Sequence, residues 1–343
     1  MARGGNLMKV LSGLALALVT MFALSSSVVK AEVIRDDEGQ SKFHQKTPIY
    51  MWKDTAKKPQ AVAIAVHGLT MHGRIYDVLA RKLASQGFIV LAPDLRGYGA
   101  WLKHESAKDK NPDYKRSYKD LCDLVKVAKT QYPNLPLYCI GESLGAGMAM
   151  RVAAEHPNMI DGLVLSSPAL KHRLMLGPMM NVAALTIAKP SKSVNLSPYI
   201  KRFASEDPRV VQEALNDPLV RKKLTTWEIV QTCNFMRPNL KYAKRLPADM
   251  PLLVLQGDQD RVLRTNAVVQ LLARAKAKDQ TVRWFSGRGH LLLETAYVQP
   301  DTMQTVTGWL HEHVRDSQPT LTMESSVYPT YMSHDLKAEM TPN

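Results

Sequence analysis

The chain has 343 residues, 45% of them hydrophobic and 22% charged, with a formal net charge of +14 and three cysteines. That composition supports a packed core and excludes wholesale disorder, and so few cysteines exclude a disulfide scaffold. The positive surplus favours peripheral contact with an anionic membrane surface, but the lysines and arginines are scattered with no aromatic-interleaved basic motif, so no nucleic-acid partner is expected.

At the N-terminus, Arg3 and Lys9 flank the start of an apolar stretch from Val10 to Leu24 that only Ser12, Gly13 and Thr20 interrupt. Val29 and Ala31 sit at the −3 and −1 positions of a cleavage after Ala31. The pattern predicts a secretory signal over residues 1–31 and a secreted or periplasmic protein. The run falls short of the roughly 20 residues of a membrane span; the alternative is an uncleaved N-terminal anchor.

Residues 32–40 read as a charged lead-in, and Lys42 to Trp52 as a strand or hairpin. From there short apolar runs alternate with helical patterns, the signature of βαβ units on a mostly parallel sheet flanked by helices. The predicted strands are Ala61–Val66, Phe88–Ala92, Leu137–Ile140, Leu163–Ser166, Leu252–Gln256 and Val282–Phe285. The predicted helices are Ile75–Gln86, Tyr118–Gln131, Leu144–Glu155, Thr265–Ala277 and Asp301–Val314. Between them, residues 168–245 are rich in Met, Lys, Pro and Leu, with no strand standing out, and read as a helical cap inserted into a core of residues 32–167 and 246–315. Residues 316–343 are polar and read as a flexible tail. Cys122, Cys139 and Cys233 allow one bridge, but nothing in the sequence selects a pair.

Gly141-Glu142-Ser143-Leu144-Gly145 is a G-x-S-x-G placed directly after an apolar run and before a helical pattern. A sharp strand-to-helix turn of this kind lifts a serine hydroxyl above the sheet edge, and only small flanking residues fit it; this is the nucleophile elbow of the α/β-hydrolase fold. A serine hydroxyl becomes a good nucleophile when a base takes its proton. His290, in Gly287-Arg288-Gly289-His290 after the last predicted strand, fits that role by position. The base needs a carboxylate to orient it. Asp260 and Asp258 both follow Leu252–Gln256; Asp260, further beyond the strand end, is the better placed. The order Ser143, Asp260, His290 is the one this fold uses. Two backbone N–H groups must meet the oxyanion: Leu144 supplies one, and Leu69, in His67-Gly68-Leu69 after Ala61–Val66, the other. His67 reads as structural. No His/Cys set with ligand spacing joins Asp258 and Asp260, so no metal and no cofactor are expected.

Taken in order, His67-Gly68, His72-Gly73-Arg74-Ile75-Tyr76, Ala92-Pro93-Asp94-Leu95-Arg96-Gly97-Tyr98-Gly99, Gly141–Gly145, Gly257–Val262 and Gly289-His290 resemble monoacylglycerol lipases and lysophospholipase-like α/β-hydrolases, which are grouped with the serine aminopeptidases. The resemblance covers roughly residues 55–315, and Asp217-Pro218-Leu219-Val220 is similar to the family's segment near the end of the cap. It implies hydrolysis of a monoacylglycerol or lysophospholipid ester, with nucleophile Ser143, base His290, acid Asp260 in preference to Asp258, and oxyanion donors Leu69 and Leu144. On that reading Met175, Met179, Met180 and Leu185 of the cap line an acyl-chain pocket, the alternative being that they form the cap's own core. Lys189, Lys192, Lys201 and Arg202 are placed to meet a phosphate headgroup. An aminopeptidase or small-ester hydrolase on the same residues, and a non-catalytic envelope binding protein, are the rival readings.

Overall fold

The computed structural model describes residues 32–43, 46–171 and 188–317. The predicted signal, the tail after Ser317 and the pocket candidates Met175, Met179, Met180 and Leu185 lie outside the described residues. The strands are β1 (Val33–Asp36), β2 (Ile49–Asp54), β3 (Ala61–Val66), β4 (Phe88–Pro93), β5 (Leu137–Glu142), β6 (Gly162–Ser166), β7 (Ser193–Asn195), β8 (Lys223–Thr225), β9 (Leu252–Gly257) and β10 (Gln280–Phe285). Eight of them form one sheet in the order β1-β2-β4-β3-β5-β6-β9-β10. The pairs from β4 to β10 are parallel, and β1 and β2 add antiparallel on one side.

Every residue of β3, β4, β5, β6 and β9 is buried. That is why these strands read as continuous apolar runs: a parallel strand with helices on both faces has no solvent side. The alternation of side chains still sorts the core. In β3, Val62, Ile64 and Val66 join one apolar cluster, with Leu121, Leu124 and Val125 of helix α2 (Tyr114–Gln131) and Met148 and Val152 of α3 (Leu144–Glu155). Ala61, Ala63 and Ala65 face the other cluster, with Leu79 and Leu83 of α1 (Asp77–Ala84). Small residues on that face leave room for Tyr76 and Trp309, both buried. Burying one such large side chain contributes about 1.5–3 kcal/mol.

Several boundaries differ from the sequence expectation, each for a local reason. β1 replaces the expected loose lead-in; its charged residues lack an apolar run, but it is an edge strand, and Arg35 pairs with Asp37 and Asp77. Helix α2 begins at Tyr114 rather than Tyr118 because Asp113 caps it, its carboxylate accepting the Arg116 N–H at 2.9 Å; the first turn is too polar to show the apolar stripe. The segment before α1 is a 3₁₀ turn, Gly73–Tyr76. β10 lies at the open end of the sheet, with Val282 and Trp284 exposed. Between β6 and β9, helices α4 (Ser197–Phe203), α5 (Pro208–Asn216), α6 (Thr226–Met236) and α7 (Asn239–Ala243) are joined by an antiparallel ribbon of β7 and β8. Strands of three residues are too short to show a period, so the ribbon leaves no trace in the pattern of residues. The sequence is then completed by α8 (Asn266–Arg274) and α9 (Pro300–Ser317). Cys122, Cys139 and Cys233 are free thiols.

Candidate active site

The C-terminal ends of β3, β5, β9 and β10 bring the predicted residues to one place. Ser143 follows β5 directly, with φ +54°, a backbone conformation that non-glycine residues rarely adopt. The strain is held by hydrogen bonds: the Ser143 N–H donates to the Ser166 carbonyl at 2.9 Å, and the Ser143 carbonyl accepts the Ala169 N–H at 3.0 Å. The flanking glycines are required by close approach. A Cβ at Gly145 would lie 1.9 Å from the Val66 carbonyl oxygen, and one at Gly141 would lie 2.6 Å from the Ala146 nitrogen. The elbow is thus wedged against β3 with no space for a methyl group.

His290 Nε2 lies 2.9 Å from Ser143 Oγ, and His290 Nδ1 lies 2.8 Å from Asp260 Oδ2. Asp260 Oδ1 accepts the N–H groups of Val262 and Leu263 at 2.8 and 3.0 Å, and Oδ2 also accepts from Gln256 Nε2 at 3.2 Å. With its carboxylate so fully occupied, Asp260 can only accept from the imidazole, so Nδ1 carries the proton and Nε2 faces Ser143 as a base. Burial favours the neutral forms of both groups, but their mutual attraction and hydrogen bond win: Asp260 is held below the ordinary carboxylate range and His290 above the ordinary imidazole value, with Glu142 adding to the latter. Asp258, the other acid in this loop, is exposed and accepts the Gly287 N–H instead. The histidine loop is fixed by Ser167, whose hydroxyl donates to the His290 carbonyl at 2.7 Å.

Leu144 is the first residue of α3, next to the elbow. Leu69 follows Gly68, which packs so closely on Ser143 that a Cβ there would lie 3.3 Å from the serine Cβ. Among the described residues no acceptor takes the N–H of Leu69 or Leu144. Both amides, one directly after Ser143 and one directly after Gly68, thus have an unused donor. His67 is wholly buried; its Nε2 accepts the Leu95 N–H at 2.9 Å and its Nδ1 meets the Gly68 carbonyl at 2.8 Å. Burial pushes its pKa down to about 3, so it is a neutral strut between two loops. The sequence reading missed Glu142 and Glu294, two buried carboxylates beneath this line. The available signal was an acid inside the otherwise apolar end of β5.

The cap meets this edge through apolar packing of Ile200, Ala204 and Val210 with Leu291 and Leu292 and through polar contacts. His72 Nε2 lies 3.0 Å from Asp217 Oδ2, and the Arg221 N–H donates to the Thr70 carbonyl at 2.8 Å. The Arg221 side chain donates to the carbonyls of Gly97 and Lys110 and to Glu228 Oε1. A cleft of about 880 Å³ runs beside this seam, along Arg74, Lys103, Arg209, Asp217 and Tyr297; neither Ser143 nor His290 lines it.

A doubly wound sheet with a strained serine at the elbow, hydrogen-bonded to a late histidine, defines an α/β-hydrolase. The chain belongs to the serine aminopeptidase S33 family, whose model matches residues 57–295. It is similar to the monoacylglycerol lipase of Mycolicibacterium smegmatis, with 26% identity over 75% of this chain and 90% of that one, and to human monoglyceride lipase, with 29% identity over 70% and 78%. Among solved structures it resembles the monoacylglycerol lipase of Paleococcus ferrophilus, with a TM-score of 0.65 and 24% identity over 78% of this chain and all of that one. It also resembles a soluble variant of the Saccharomyces cerevisiae monoglyceride lipase, with a TM-score of 0.67 and 16% identity over 84% and 96%. The chain is therefore a monoacylglycerol lipase-like α/β-hydrolase.

Proposed function

We propose that the protein hydrolyses carboxylic esters of acyl lipids, of monoacylglycerol or lysophospholipid type, through an acyl-enzyme on Ser143. The observation that carries this reading is the unbroken line Ser143 Oγ, His290, Asp260 at 2.9 and 2.8 Å. His290 Nε2 takes the serine proton as Oγ attacks the ester carbonyl. The N–H groups of Leu69 and Leu144 stabilise the oxyanion. The imidazolium then gives its proton to the departing alcohol, and a water activated by the same nitrogen releases the fatty acid. Asp260 keeps its charge throughout and stabilises the imidazolium.

The similarity to monoacylglycerol lipases supports the lipid class. So does the cap surface, where Trp227 is 51% exposed and Tyr199 44% exposed. Lys189, Lys192, Lys201 and Arg202 are exposed on the same stretch, with no acid between residues 188 and 205. An aromatic and basic face suits an anionic bilayer that presents the substrate. A secreted or periplasmic location, with a cleaved signal or an uncleaved anchor, completes the reading. Against an aminopeptidase, Glu142 and Glu294 are sealed under the site and bonded to backbone N–H groups, leaving them poorly placed to bind a free amine.

The test is a panel of monoacylglycerols, lysophospholipids and short esters against aminoacyl amides, each run with the mature protein and its Ser143→Ala variant. Ester turnover that disappears with Ser143 supports the proposal. Preferential cleavage of the amides would replace it with the peptidase reading, and no turnover of any substrate would favour the binding-protein reading.

A further inference from the structure

The nucleophile, the base and the oxyanion donor stand on three loops far apart in the chain, and two buried carboxylates join those loops. Glu142, the last residue of β5, is fully buried. Its Oε1 accepts the N–H of Leu292 at 2.9 Å and of Leu293 at 3.2 Å; its Oε2 accepts those of Leu293 at 3.2 Å and Glu294 at 2.9 Å. The Ser166 hydroxyl donates to Oε1 as well. Three consecutive N–H groups directly after the His290 loop thus close on one carboxylate from the residue next to Ser143. Such a cage favours a full negative charge.

Glu294 continues the chain of contacts. It is 1% exposed, and its Oε1 accepts the N–H of Gly68, the residue before Leu69. Its Oε2 is buried and accepts nothing among the described residues. The titratable groups facing the pair are His290, toward Glu142, and Tyr76, toward both acids. Among the described residues, no cation other than a protonated His290 faces the pair to neutralise a second negative charge. The Tyr76 hydroxyl lies beside this carboxyl but is given to the Val66 carbonyl at 3.0 Å, and an anion whose second oxygen has no donor of its own, beside another anion, is strongly disfavoured in a dry site. The proton belongs on Glu294.

We propose that Glu142 and Glu294 are positioning residues for hydrolysis: Glu142 as a carboxylate and Glu294 as the neutral acid lock the histidine loop and the Gly68-Leu69 loop to the strand that carries Ser143. Burial and the charge of Glu142 hold Glu294 well above its ordinary value, in keeping with this assignment. Burial raises Glu142 too, but its donors oppose that shift. A shift in the Gly68 loop would misplace the Leu69 donor, and loss of one oxyanion donor costs on the order of 10²–10³ in kcat. The proposal rests on the reading of Ser143 as nucleophile.

The experiment uses Glu294→Gln, Glu294→Ala and Glu142→Gln in the full chain, each checked for folding by circular dichroism. It measures kcat and KM on a soluble short-chain ester from pH 5 to 10, and the rate of Ser143 labelling by a fluorophosphonate. Glu294→Gln keeps a neutral acceptor for Gly68 and is expected to remain within about threefold of wild type, while folded Glu294→Ala loses at least about tenfold in kcat with little change in KM. Glu142→Gln removes a negative charge that favours the His290 imidazolium, so the acid limb of its profile moves to lower pH. Folded Glu294→Ala with wild-type kcat, Glu294→Gln as impaired as Glu294→Ala, or an unmoved acid limb in Glu142→Gln would each overturn the assignment. If Glu294→Ala does not fold, the Gln variants decide the matter alone. Failure of wild type itself to label would count against the nucleophile, a result distinct from all of these.

Discussion

The sheet edge is closed on every side, whereas the cap is packed on one face and open to solvent on the other. At the edge, five strands are buried along their whole length and the site residues are tied by hydrogen bonds on every side. The cap packs Ile200, Ala204, Val210 and Ala214 against one apolar cluster and Met236, Leu240 and Ala243 against the other, is tied to the edge by Arg221 and His72, and shows Trp227 and Tyr199 to solvent. Rigid apolar packing holds reacting atoms within tenths of an ångström, which bond-making demands. Polar seams around a surface with aromatic rings suit choosing and admitting substrate. Changes at the edge should therefore act on kcat, and changes on the exposed face of the cap on KM and on membrane affinity.

The comparison is broken most directly at the edge. Ser143→Ala should lower kcat on any ester by on the order of 10⁶-fold, with the fold intact by circular dichroism. Asp260→Asn should cost on the order of 10³–10⁴-fold, because the amide no longer fixes the tautomer of His290. The same variant sharpens the electrostatic part of the account. His290 acts as a base only when neutral, and Asp260 raises its pKa, so the acid limb of kcat/KM in wild type should lie above the ordinary imidazole range of about 6.5 and fall in Asp260→Asn. An acid limb that stays in place on removal of the charge would mean that the two groups are not coupled in solution.

Smaller effects separate packing from chemistry. Leu255, buried in β9, should cost about 2–5 kcal/mol of stability when truncated to Ala, read by denaturant unfolding, with kcat of the folded fraction little changed. Arg221→Ala leaves Glu228 buried without its cation and should cost about 1.5–3 kcal/mol, with KM for long-chain esters rising more than kcat falls. Equal losses in kcat and in kcat/KM with unchanged KM would show that the cap takes part in the transition state and erase the division drawn above. Mildest of all, Trp227→Ser should leave short-ester kcat within about twofold while weakening sedimentation with anionic vesicles, an effect that grows with salt.

The same division explains what was legible in the sequence. Buried parallel strands write themselves as apolar runs, so β3, β4, β5, β6 and β9 were found to within a residue or two. The G-x-S-x-G was legible because a Cβ at Gly145 would meet the Val66 carbonyl of β3 and one at Gly141 the Ala146 nitrogen, so both positions demand glycine. Asp260 was harder, since two acids share its loop; burial and the N–H groups of Val262 and Leu263 distinguish it, and neither is visible in a string of letters. The β7–β8 ribbon left no periodic trace, and β1 was hidden by its charges. Glu142 and Glu294 escaped because their meaning lies in contacts across about 150 positions of chain, which only the fold brings together.

The central claim is that Ser143 is a nucleophile activated by His290. It is tested most directly by treating the protein with a fluorophosphonate and locating the adduct by peptide mass spectrometry. The account predicts one stoichiometric adduct, on Ser143, absent in Ser143→Ala and slowed at least a hundredfold in His290→Ala. A stoichiometric adduct on another residue, or equal labelling with and without the imidazole, would contradict it.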